Sequence, residues 1–203
     1  MGFKKHTLHK PERFLEFDEA RKYIEDMNLD RKKTFEAIDY MVNHKEYYFL
    51  LKNLVKQFAD KETGDRELFD YIFSRLQECP KRKEDAEIYK KIIKSKNKDL
   101  KTAFFEYVKN CSKDFNKLAH EFLDDDDKDV RYLGFCILLN IPDEKAKEAL
   151  KEYILKEGNE DLLKDFLNYI YYYGDKEDIE CLEKLKLQFP SKADDIDKIE
   201  ESL

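Results

Sequence analysis

Four histidines, four cysteines and one run of acids are the residues of this chain whose chemistry could go beyond packing. His6 and His9 stand one helical turn apart, the spacing of half a zinc site, but they lie in a basic segment with no further ligand beside them. His44 and His120 are isolated from each other in sequence. Cys79, Cys111, Cys136 and Cys181 contain no Cys-x-x-Cys pair, so they read as reduced thiols rather than zinc ligands or a redox couple. The acids Asp124, Asp125, Asp126, Asp127 and Asp129 invite a calcium reading. An EF-hand loop opening at Asp124 would need glycine at 129 and glutamate at 135, where the chain has Asp129 and Phe135. There is no glycine-rich phosphate loop and no Gly-x-Ser-x-Gly. The expectation is no metal, no cofactor and no catalytic residue.

Charge narrows the class further. The chain carries 39 Lys and Arg against 46 Asp and Glu, a net charge of −7. Residues 1–100 hold 23 basic and 20 acidic side chains, net +3, and residues 101–203 hold 16 and 26, net −10. That balance argues against a general binder of nucleic acid or anionic membrane, and it suits a basic partner for the C-terminal half. One local exception is the stretch 81–101, where Lys90, Lys91 and Lys94 belong to a set of nine cations that could follow a phosphate backbone. No apolar run reaches membrane-spanning length, and the reading is cytoplasmic.

These side chains must be positioned by helices. Lys, Glu, Leu and Asp dominate, glycine and proline number only 5 and 4, and apolar residues return at three and four. The periodicity predicts about ten to twelve helices over 18–203, preceded by a basic tail over 1–17. Pro80, Pro142 and Pro190 fall between the periodic segments. Three stretches align without gaps, opening at Asn97, Asp127 and Asn159. Each reads Asn or Asp, any residue, Asp, then an aliphatic, with apolar positions at shared offsets (Phe105, Phe135, Leu167; Val108, Leu138, Ile170). Weaker copies open near Asp30, Gly64 and Asp194. The register residues 30, 64, 99, 129, 161 and 194 are 34, 35, 30, 32 and 33 apart. That is the length of one helical hairpin, and a period of this size predicts an α-solenoid. On this reading the acids before Val130 cap a helix, and Val130, Leu133, Gly134, Ile137 and Ile141 form its buried stripe.

Asp127 to Arg131, followed by an apolar helix and Ile141 to Glu144, resembles the turn and second helix of a HEAT repeat, as does Gly174 to Leu185. The resemblance covers about 97–203 and is thin over 1–96. It implies an all-α, right-handed solenoid of about five to six HEAT-like antiparallel hairpins in one domain, 18–203. In that family an Asp before the second helix and an Arg inside it form ladders between repeats. The resemblance therefore gives Asp129 and Arg131 a structural role, with Lys101 the counterpart one repeat earlier. Two enzyme families of similar architecture fit poorly. The HEAT-like deoxyhypusine hydroxylases hold iron with several His-Glu pairs, and only His120-Glu121 occurs here. The HEAT-like alkylpurine DNA glycosylases rely on tryptophan, and this chain has none.

The remaining signal is tyrosine, 13 residues beside 15 Phe. In the segment 159–173 the core stripe is expected to run through Leu162, Phe166, Tyr169, Ile170 and Tyr173. Tyr172 then falls with Asp165 and Asn168 on the opposite face, and Tyr132 takes a similar outward place one repeat earlier. Tyrosine beside acids on a groove suits recognition of a basic protein or peptide. The function expected is a non-enzymatic scaffold, with an immunity or antitoxin-type inhibitor as a specific form of it. The alternative is a nucleic-acid-binding HEAT-like protein using the 81–101 helices.

Overall fold

A computed structural model describes residues 16–203. His6, His9 and the expected basic tail lie outside the described residues, except that Glu16 and Phe17 begin the first helix. All regular structure among the described residues is helical, in twelve α-helices. They are α1 (Phe17–Glu25), α2 (Arg31–Asn43), α3 (Tyr47–Phe58), α4 (Arg66–Leu76), α5 (Ala86–Ile93) and α6 (Lys98–Asn110). Then follow α7 (Ser112–Leu123), α8 (Lys128–Leu138), α9 (Glu144–Glu157), α10 (Glu160–Tyr173), α11 (Ile179–Gln188) and α12 (Ala193–Glu200). Short 3-10 turns precede α5, α11 and α12, at 83–85, 176–178 and 190–192. No helix among the described residues is long and apolar enough to cross a membrane.

The residues that open each aligned stretch do the same local work. Asp127 caps α8 by accepting the backbone N–H groups of Asp129 and Val130. Asn159 caps α10 by accepting the Asp161 N–H, and the Asn97 side-chain oxygen Oδ1 accepts from the Leu100 N–H at 2.9 Å. Asp30 and Asp65 cap α2 and α4 in the same way. Each cap satisfies an otherwise orphaned donor and is worth about 1 kcal/mol. The acid run thus starts a helix, and Asp127 rather than Asp129 is the capping residue.

The described residues divide into two compact units, one ending at Tyr107 and the other running from Val108 to Leu203. In the first, α1 packs on α2 and α3, α2 on α3 and α4, and α3 on α5. Its core is aromatic: Phe73 lies 5.2 Å from Tyr107 and 5.6 Å from Phe104, and Tyr89 lies 5.4 Å from Phe104. Polar side chains close the helix ends across sequence-distant elements. Gln57 donates to the Ile24 carbonyl and accepts from the Met27 N–H, stitching α3 to the end of α1.

In the second unit α7 packs on α8 and α9, α9 on α8, α10 and α11, and α12 on α10 and α11. Val130, Leu133, Gly134, Ile137 and Ile141 are buried as their spacing predicts, together with Phe135 and Leu138. At Gly134 the helices touch through backbone. A Cβ there would stand 2.7 Å from the Ala119 carbonyl oxygen and 3.0 Å from the Leu123 nitrogen, so only glycine permits the approach. Tyr169 is buried and donates to the Ile141 carbonyl at 2.9 Å, joining α10 to the end of α8. Tyr107, eight positions after its register residue as Tyr169 is after its own, donates to the Leu76 carbonyl of its unit.

Candidate functional site

The outward face of α10 is fixed by what its other faces bury. Leu162, Leu163, Phe166, Leu167, Tyr169 and Ile170 are in the core. Asp161, Asp165, Asn168 and Tyr172, spaced by four, three and four, must then share a solvent-facing stripe, and all four are exposed. Tyr172 is 74% exposed, far beyond what a packing role needs.

Tyr132 on α8 is 40% exposed. A hydrogen bond with Cys136 and the nearby Asp165 carboxylate push its pKa up to about 12. Burial, with Asp165 adding to it, holds the Cys136 thiol up at about 11. Asp165 on α10 thus lies within electrostatic reach of Tyr132 and Cys136 on α8, although the register residues of the two helices are 32 positions apart. Neither shift prepares a nucleophile or a general base, since both raise the proton affinity of groups already neutral at pH 7. Asn168 is drawn to the other flank. It lines a cavity of about 760 Å³ between α10 and α12, together with Asp161, Lys164, Lys198 and the apolar Leu163, Leu167 and Ile199. The four residues singled out in the sequence thus divide into the pair Tyr132 and Asp165, then Asn168 at a cavity wall, then Tyr172 near the helix end.

Tyr173 departs from its expected place in the core stripe: it is 50% exposed. The helix ends at Gly174, and its last turn outruns the neighbours that bury Tyr169 and Ile170. Tyr171 is exposed as well, at 56%. The three rings form one cluster. Tyr171 meets Tyr172 edge-on at 5.1 Å, Tyr173 lies 6.4 Å from Tyr172, and buried Tyr169 supports Tyr173 at 5.1 Å. The run Tyr171, Tyr172, Tyr173 before a glycine was the available sequence signal, because three consecutive positions on a helix cannot all face a core.

The residues assigned to a ladder have varied surroundings. Arg131 is held by the Glu157 carboxylate at 2.7 Å and by the carbonyls of Asp125 and Asp126, which ties α8 to the end of α9. The Asp129 side chain is exposed, and Lys101 is half-buried on the first turn of α6. The register counterpart of Asp129, Asp99, accepts the Gly64 N–H at 3.0 Å. In the same unit Arg31 pairs with Asp65 and Glu67, and Arg66 with Glu106. Charged links from the start of α2 to the start of α4, and from there to the middle of α6, are therefore present where the sequence resemblance is thinnest.

The basic stretch does not present nine free cations. Lys81 donates to the carbonyls of Leu76, Gln77 and Cys79 at the end of α4. Lys90 pairs with Glu87 at 3.4 Å. Lys91 on α5, a helix of eight residues, and Lys94 at its C-terminal cap are exposed. Among the described residues no three His, Cys, Asp or Glu side chains are grouped to hold a metal ion. Compared with known protein families, curated proteins and solved structures, the chain matches none.

Proposed function

We propose that the protein is a non-enzymatic scaffold that recognises a basic protein or peptide, with the outward face of α10 and the adjoining Tyr132 as the contact surface. The observation that carries this reading is the exposure of Tyr172, with Asp165 and Asn168 beside it on one stripe. Large amphipathic rings are costly to leave in water and supply most of the energy where they are covered. The acidic balance of residues 101–203, 26 acids to 16 cations, favours a cationic partner and speeds its encounter. An inhibitor of the immunity or antitoxin type, acting in the cytoplasm, is the specific form this reading takes.

The architecture that goes with it is a HEAT-like right-handed solenoid of about five to six hairpins. Packing of helices on next-but-one neighbours within a unit, as for α1 with α3, α7 with α9 and α9 with α11, supports that arrangement. So do the Asn and Asp caps that recur at the repeat spacing. Nucleic-acid binding through Lys90, Lys91 and Lys94 has less support, because Lys90 pairs with Glu87 and the patch occupies one short helix.

The test is affinity capture with the wild-type chain and with Tyr132→Ala, Asp165→Asn and Tyr172→Ala. The reading expects a basic protein to be retained by the first and lost from the variants while their circular dichroism stays unchanged. Retention that ignores these substitutions, or that follows Lys91→Glu instead, overturns it.

A further inference from the structure

The tyrosine cluster at the end of α10 has a preference that its surroundings define. A helix C-terminus carries a partial negative charge, and helices commonly place a cation there. Nine of the twelve α-helices carry a basic residue in their last turn, whereas α2, α8 and α10 carry none. Instead α10 ends in three exposed rings, whose faces are themselves electron-rich. Of the acids that follow, Asp175 is paired with Lys147 at 2.8 Å, and Glu177 is exposed beside Lys176.

Elsewhere the chain fills such positions from within. Arg31 stands 5.4 Å over Phe35, Arg82 stands 5.0 Å over Tyr47, and Lys61 stands 4.5 Å over Phe58. Among the described residues no cation stands over Tyr171, Tyr172 or Tyr173. The unit offers no arginine for the purpose, since the only one after residue 107 is Arg131, which is tied to Glu157.

We propose that Tyr171, Tyr172 and Tyr173 form a receptor for guanidinium groups, so that the partner is engaged through an arginine-bearing segment. The rings are preorganised: Tyr173 leans on Tyr169, which is itself fixed by its bond to the Ile141 carbonyl, so little ordering is lost on binding. Arginine fits better than lysine. Its planar, weakly hydrated cation stacks on a ring and still directs N–H donors sideways to a carboxylate, whereas an ammonium must shed a tighter water shell. Asp165 lies seven residues before Tyr172 on the same stripe, about 10 Å along the helix. A second arginine, three residues along an extended segment, would reach it.

This inference rests on α10 being the partner-binding face, and its test separates the two. Fluorescence anisotropy of labelled nona-arginine and nona-lysine peptides, equal in charge, is measured against the full chain at about 0.15 M salt, where long-range attraction is screened. The arginine peptide is expected to bind roughly tenfold more tightly than the lysine peptide, and that margin should vanish in the Tyr171→Ala/Tyr172→Ala/Tyr173→Ala variant. The Tyr→Phe triple variant, which keeps the rings, should retain most of it. Equal binding of both peptides, an undiminished margin in the alanine variant, or binding of neither peptide overturns the guanidinium assignment. The first two outcomes leave the acidic α10 face as a binding surface for some other basic partner.

Discussion

The Lys147 ammonium lies 3.3 Å from Oδ2 of Asp178, and neither side chain reaches solvent. Lys147 on α9 also reaches Asp175 at 2.8 Å and Glu144 at 3.2 Å, while Asp178 is shared with Lys151. Burial works against the Lys147 charge, but these carboxylates outweigh it and hold its pKa above the ordinary lysine value. Removing Lys147 takes one of its two cations from the buried Asp178 carboxylate and leaves only Lys151, at a cost of roughly 1–3 kcal/mol. Lys147→Met is therefore expected to lower the urea midpoint strongly, whereas Lys147→Met/Asp178→Asn should recover part of the loss. A single variant as stable as the wild type would show that the pair contributes nothing.

Gly134 tests the contact between α7 and α8. A methyl group at this position would press on the Ala119 carbonyl and the Leu123 nitrogen, both backbone atoms that cannot swing away. Gly134→Ala gains helix propensity of about 1 kcal/mol, yet the overpacking should reverse the sign and destabilise by roughly 1–3 kcal/mol. Thermal melting monitored by circular dichroism decides between them. A rise in Tm would mean that the two helices are free to separate.

Alkaline pH should unfold the protein earlier than its charge alone suggests. Burial raises Tyr71, Tyr153 and Tyr169 to about 12, and Cys136 and Cys181 to about 11. In the unfolded chain tyrosine and cysteine lose their protons near about 10 and 8.5. Between those values the folded state holds more protons than the unfolded one, so stability falls as pH rises through about 9 to 12 and is unaffected by these groups below about pH 8. Urea midpoints from pH 7 to 11 check the slope. Midpoints that stay flat or rise above pH 9 would contradict the burial of these groups.

Local features were legible and non-local ones were not. The cap at Asp127 and the stripe from Val130 to Ile141 follow from 3.6-residue periodicity and from the chemistry of orphaned N–H groups, both of which are contained in a dozen residues. The Lys147 and Asp178 pair is 31 positions apart and looks, in sequence, like two ordinary surface charges. The exposure of Tyr173 was misjudged for a related reason. A helical stripe gives the direction of a side chain but not where the neighbouring helix stops. Of the proposed binding face, Tyr132, Asp165, Asn168 and Tyr172 follow from direction alone. The cavity beside Asn168 and the cluster formed with Tyr171 depend on how α10 and α12 meet and on where α10 ends.

Site-specific photo-cross-linking probes the proposed binding face most directly. A photoreactive phenylalanine analogue is placed at position 172 in one chain and at position 91 in another, and each is illuminated in the native cell. A discrete adduct with a basic protein from position 172, absent from position 91, is the expected result. Adducts formed from position 91 alone, above all with nucleic acid, would contradict the assignment of the α10 face.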